Sequence, residues 1–89
     1  MAYKVRLEKS AQKFLKKMDK FNASVILDWI QLNLEGTENP RQHGKGLTAD
    51  KSGAWRYRVG AYRLIAEIQD NEILILILDI DHRSKIYKK

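Results

Sequence analysis

Cysteine is missing from this chain. That excludes a disulfide framework and a thiolate zinc site, and it suits a reducing compartment. Long apolar runs are missing too: the longest, Ile73 to Leu78, is far too short to span a bilayer and reads as a buried strand. The opening residues Met1-Ala2-Tyr3-Lys4-Val5-Arg6 hold no apolar core of the kind a secretory signal needs, so none is expected. Histidine is scarce, with His43 and His82 far apart, and the acidic residues show no ligand spacing. No metal or other cofactor is therefore expected. A glycine-rich phosphate loop, a nucleophile triad and a membrane-lying amphipathic helix are all wanting as well. Acidic residues number 11 against 17 lysines and arginines, a net charge of +6. Such a balance favours an anionic partner: nucleic acid, a membrane surface or an acidic protein.

What is present fits one domain over residues 1–89, without repeats or low-complexity tracts. Hydrophobic residues at 44% and charged residues at 31% describe an ordinary globular chain with one modest core. Tyr3 to Leu7 alternates apolar and basic residues and predicts a first strand. Ser10 is positioned to cap a helix whose apolar face is Ala11, Phe14, Leu15 and Met18. Asn22 is positioned to cap a second, with Phe21 stapled to Ile26 and a stripe of Ala23, Ile26, Leu27, Ile30 and Leu34. Gly36 and Asn39-Pro40 end it. The two helices should form an antiparallel hairpin. Residues 36 to 53 read as a polar, glycine-rich link, with Leu47 expected to pin it to the core. Three strands follow at about 54–60, 62–69 and 72–80, joined by tight turns at Gly60-Ala61 and Asp70-Asn71, hence antiparallel. The last is apolar on both faces and so should be central and covered on both sides. The predicted architecture is α+β: one N-terminal strand, a helical hairpin and a three-stranded meander, with both helices on one face of an antiparallel sheet.

Within the meander, Trp55-Arg56-Tyr57-Arg58-Val59 alternates aromatic or aliphatic side chains with guanidinium groups. One strand face buries rings while the other presents cations. Arg63 lies on the next strand, and Arg83 belongs to the closing segment His82-Arg83-Ser84-Lys85-Ile86-Tyr87. A guanidinium is charged at any working pH and matches phosphate oxygens in pairs. A sheet face with several is suited to a polyanion, RNA first among them.

With its elements placed, the chain resembles the RelE/ParE superfamily, toxins of type II toxin–antitoxin systems. The resemblance rests on the run Trp55 to Ile65 and on His82-Arg83-Ser84-Lys85-Ile86-Tyr87, with looser likeness in the helix from Glu8 to Lys17. It implies a small cytoplasmic toxin of a bacterial or archaeal cell. RelE-like members cut messenger RNA in the ribosomal A site, whereas ParE-like members poison DNA gyrase; the terminal tyrosine favours the RelE branch. The implied partners are the ribosome with its message and an acidic, partly disordered RelB-like antitoxin that folds on the toxin. No membrane partner is implied. The resemblance maps phosphate-handling positions onto Arg56, Arg58, Arg63 and Arg83, and a functional phenol onto Tyr87. Well-known RelE-type enzymes carry lysine where Arg56 and Arg58 stand. Arginine does not give up its proton, so both are assigned to phosphate binding rather than to a base role. Tyr87, with guanidinium groups to favour its phenolate, and His82, with an ordinary pKa near neutrality, are the titratable candidates. The expected reaction is attack by the ribose 2′-OH, leaving a 2′,3′-cyclic phosphate and a 5′-hydroxyl. Two other outcomes stay open: a gyrase inhibitor without nuclease activity, and a degenerate toxin serving as co-repressor with its antitoxin.

Plainer readings exist for the same residues. Arg56 and Arg58 also suit a merely solvated strand face, and Arg63 an ion pair with Glu67 or Asp79. His82 also suits a turn or packing role. His43 has no evident neighbour and reads as surface; Trp29, off the main stripe of its helix, reads as packing under the link or as a partner surface.

Overall fold

Alternating strands and two short helices assemble as the patterning predicts, and the class is α+β. The computed structural model describes residues 1–47 and 53–82. The elements are β1 (Lys4–Leu7), α1 (Lys9–Lys17), α2 (Lys20–Asn33), β2 (Lys45–Gly46), β3 (Ala54–Val59), β4 (Tyr62–Gln69) and β5 (Leu74–His82). They form one five-stranded sheet in the order β1-β5-β4-β3-β2. The core unites Ala11 of α1 and Ile26, Ile30 and Leu34 with Tyr57, Val59, Leu64, Ala66, Ile75, Ile77 and Ile80 of the sheet. Among the described residues no helix is long and apolar enough to cross a membrane.

The sheet is mixed rather than wholly antiparallel, because β1 runs parallel to β5, with Val5 beside Ile75. Parallel neighbours need a long crossover, which α1, α2 and the remaining strands supply. Inside the link, Lys45 and Gly46 pair antiparallel with Arg56 and Trp55 of β3; two residues are too few to show a period. The helix starts also differ from expectation. Glu8, not Ser10, flanks α1 without a side-chain cap, and the Gln12 amide donates to the Leu7 carbonyl at 2.7 Å. Asp19 caps α2: its carboxylate accepts from the Asn22 backbone N–H at 3.0 Å and from Asn22 Nδ2 at 2.9 Å. Asn22 is thus the donor, and those bonds hold the Asp19 carboxyl below its usual pKa. Starting earlier places Phe21 on the outer surface, 74% exposed, where it staples nothing. Leu27 and Leu47 are exposed as well. The link is fastened instead by aromatic hydrogen bonds, Trp55 Nε1 to the His43 carbonyl at 2.7 Å and Tyr57 Oη to the buried Pro40 carbonyl at 2.6 Å.

Between β4 and β5 stands a 3-10 turn, Asp70–Glu72, rather than a two-residue turn. Ile73 follows in the left-handed region at φ 53°, uncommon for a β-branched residue. β5 is interior, but β4 is the central strand. Nor is β5 covered on both sides: Ile75, Ile77 and Ile80 are buried, while Leu74 and Leu76 are only half-buried and Leu78 is exposed.

That inward sequence of 75, 77 and 80 breaks strict alternation. Ile65 pairs with Asp79 and Ala66 with Ile77, leaving Leu78 as an extra residue, a β-bulge. A bulge shifts every later side chain of its strand to the opposite face. Beyond Leu78, even-numbered residues face the helices and odd-numbered ones face the open side.

Candidate functional site

β3 and β4 carry the cationic face. Tyr57 and Val59 point into the core, so Arg56 and Arg58 point to the open side of the sheet. Arg58 lies directly across from Arg63, and Arg56 across from Lys45 on its other flank. Arg56, Arg58, Arg63 and Lys45 all line one cleft of about 480 Å³, together with Trp29, His43 and Gly44. The three arginines predicted on the strands are therefore brought together. Arg83 and Tyr87 lie outside the described residues.

The three strand arginines differ in depth. Arg58 is exposed, Arg56 is half-buried, and Arg63 is only 8% exposed. Arg63 pairs neither with Glu67 nor with Asp79: its Nε approaches Asp81 Oδ1 at 3.4 Å. The bulge at Leu78 explains the partner, since it turns Asp81 onto the open face opposite Arg63. Arg63 Nη2 is buried and has no hydrogen-bond partner among the described residues. A buried, unpaired cationic donor is costly unless an anion completes it.

His82 is not part of this cleft. The same bulge carries it to the helix side, paired with Tyr62, where the two rings meet edge-on at 5.0 Å between centroids. Tyr62 in turn meets Phe14 of α1 at 6.1 Å. Of the two readings of His82, a titratable group next to Arg83 and a turn or packing residue, these ring contacts fit the second.

The wall opposite the arginines comes from the link. Trp29 packs under it, 5.6 Å from the His43 ring and 5.8 Å from Tyr57, so His43 is a half-buried neighbour of Trp29, not an isolated surface group. Burial pushes the Tyr57 phenol well above its ordinary pKa, so it stays protonated and serves as a structural donor to Pro40. Gly44 is required for the close approach of link and strand. Its φ is +82°, and a Cβ there would stand 2.2 Å from the Arg56 carbonyl oxygen and 2.8 Å from Trp55 Nε1. Lys45, Trp29, His43 and Gly44 were not foreseen as cleft residues, nor Asp81 as the partner of Arg63. Lys45-Gly46 gives too short a signal, Trp29 shows only as a residue off its helical stripe, and the bulge hides Asp81.

The cleft can hold phosphate oxygens by paired, charge-assisted hydrogen bonds, and it contains no lysine or arginine shown to serve as a base. Among the described residues no cluster of three or more histidine or acidic side chains is placed to hold a metal.

Comparison with known proteins gives the family and the fold. A family model described as the ParE toxin of the type II toxin–antitoxin system parDE matches residues 5–87. Toxin RelG of Mycobacterium tuberculosis is 30% identical over 89 residues, covering 100% of both chains. The toxin–antitoxin complex RelBE2 of the same organism contains a chain with TM-score 0.79 and 29% identity, covering 93% of this chain and 100% of that one. The archaeal RelE–RelB complex of Pyrococcus horikoshii gives TM-score 0.72 and 27% identity, with 96% and 99% covered. The isolated RelE toxin of Escherichia coli shares the fold at TM-score 0.71 and 19% identity, with 97% and 92% covered.

Proposed function

Because the chain belongs to the ParE toxin family of type II toxin–antitoxin systems, within the RelE/ParE superfamily, we propose that it arrests translation as a ribosome-dependent, metal-independent messenger RNA endonuclease. The observation that carries this is the convergence of Arg56, Arg58 and Arg63 on one cleft of the open sheet face. The substrate supplies the nucleophile, its ribose 2′-OH. The protein aligns that oxygen, the phosphorus and the departing 5′-oxygen, and neutralises charge as it accumulates on the phosphate. Arg58, exposed, makes first contact; Arg56 and Lys45 flank it; Arg63, desolvated, meets the charge that grows in the transition state. Arg83 and Tyr87 complete the set in this proposal, the phenol through proton transfer or by stacking on a base. The net charge of +6 adds non-specific attraction to the ribosome that weakens as salt rises.

A RelB-like antitoxin is the proposed neutralising partner, since related toxins in the Mycobacterium and Pyrococcus complexes are held by one. The ParE description of the matching family favours a second possibility, gyrase inhibition without nuclease activity. Mapping message ends in a reconstituted translation reaction separates them. Codon-phased cuts that disappear with Arg58→Ala support the nuclease. Intact message with stalled gyrase–DNA complexes in a parallel supercoiling assay overturns it.

A further inference from the structure

The least expected group on the cationic face is an acid. Asp81 stands beside Arg63 because the extra residue at Leu78 reverses the facing of β5. Without the bulge Asp81 would point toward the core and His82 outward. We infer that Asp81 is a positioning residue for Arg63, holding the guanidinium by its Nε so that its Nη edge presents to a phosphate in the cleft. This inference rests on the nuclease proposal above.

Three observations meet here. Arg63 is more than nine-tenths buried, so its guanidinium has little water to satisfy it. Its one carboxylate contact is at Nε, at 3.4 Å, a single long hydrogen bond rather than a two-pronged pair. Its Nη2 is buried and unpartnered among the described residues, while the residue lines the cleft with Arg56 and Arg58. A guanidinium offers five N–H groups in a rigid plane. Engaging only Nε fixes the plane and leaves the Nη groups uncommitted to the carboxylate. Asp81 also offsets the like charge of Arg58, Arg63's cross-strand neighbour. Lys45, Arg56 and Arg58 still leave the cleft strongly positive, so one carboxylate does not repel phosphate from it.

A purely structural ion pair predicts something else: loss of stability and no selective loss of chemistry. The test compares Asp81→Ala with Asp81→Asn, which keeps an oxygen acceptor for Nε. Cleavage is followed on programmed ribosomes, and the Arg63 side-chain N–H resonances are followed by NMR in the isolated, full chain. Asp81→Ala should lower kcat about 10- to 100-fold through misplacement of the guanidinium. KM should stay within about threefold, and Asp81→Asn should recover most of the rate. The Arg63 Nε–H signal should persist in wild type and Asp81→Asn and broaden in Asp81→Ala. Added inorganic phosphate should shift the Nη signals in the first two alone. Wild-type rates in Asp81→Ala, or Asp81→Asn as impaired as Asp81→Ala, would overturn the positioning role, the latter pointing to proton transfer by the carboxylate. A wild-type chain that leaves message intact overturns the nuclease proposal instead. The resonance and phosphate measurements then still decide whether Asp81 orders Arg63 for an anion.

Discussion

The two faces of β3, β4 and β5 are made by the same residues in alternation, yet they follow opposite rules. On the helix side the polar atoms that enter the core are matched: the Tyr57 hydroxyl finds Pro40 and the Trp55 indole finds His43. On the open side a guanidinium is buried with, among the described residues, one long carboxylate contact and an unpartnered nitrogen. The same contrast appears between two arginines. Arg41 is exposed and doubly paired, gripping Asp70 through Nη1 and Nη2 at 3.1 and 3.0 Å while its guanidinium lies 5.8 Å from the Trp55 ring centre. Arg63 is buried, with Nη2 unpartnered among the described residues. A fold consistent at every level tends to break its own rules at functional sites, and among the described residues the buried side-chain donor without a partner lies on the open side of the sheet.

Substitutions that separate the faces should show this. Leu64 is fully buried on the helix side. Leu64→Ala should cost about 2–5 kcal/mol of stability, seen as a fall in the urea midpoint. Its opposite on the other face is Arg58→Ala, which should move stability by no more than about 0.5 kcal/mol. Cleavage on the ribosome should nevertheless fall about 100-fold, as for other preorganised charge stabilisers. Equal stability losses at the two sites would erase the distinction. Gly44→Ala tests the seam between the faces. The left-handed backbone and the crowding against Arg56 should cost about 1–3 kcal/mol. By prising the link from β3 it should also raise the proteolytic sensitivity of residues 36–47, an effect Leu64→Ala shares only through global unfolding.

Much of this division could be read in the chain. Period two placed Tyr57 and Val59 inward and Arg56 and Arg58 outward, and period 3.6 placed Ile26, Ile30 and Leu34 in the core, because those patterns are direct consequences of backbone geometry. Arg63 was placed on the correct strand and face, though not with its partner. What failed was local. Asp19 took the cap because a carboxylate three residues before the expected cap reaches the Asn22 backbone N–H. β1 joined β5 in parallel, a choice made by the crossover and invisible in the four residues of the strand itself. The run Ile73 to Leu78 is apolar at every position, so it carries no phase, and nothing in it reveals that Leu78 is the extra residue. That one position sets the faces of Asp81 and His82, which the sequence reading left unassigned beyond a strand expected to end near residue 80.

The smallest predicted effect concerns the doubly paired Arg41. Asp70 accepts two bonds from Arg41 and one from the Tyr3 hydroxyl at 2.6 Å, and Arg41 first, then Tyr3, holds its carboxyl below the ordinary value. A carboxyl depressed in the folded state stabilises the fold above its unfolded pKa, about 3.9, and loses that contribution as pH falls through the folded value. Both side chains are more than a third exposed, at 39% and 53%, so solvent screening keeps the contribution small. Asp70→Asn should therefore cost at most about 1 kcal/mol at neutral pH in urea titrations. The gap between wild type and variant should hold through mildly acidic solution and close only below about pH 4, and added salt should narrow it at neutral pH. Cleavage should be unchanged, since neither Arg41 nor Asp70 lines the cleft that holds the strand arginines. A gap indifferent to both acid and salt would mean that the Arg41–Asp70 contact is packing rather than charge, and the contrast with Arg63 would have to be drawn from burial alone.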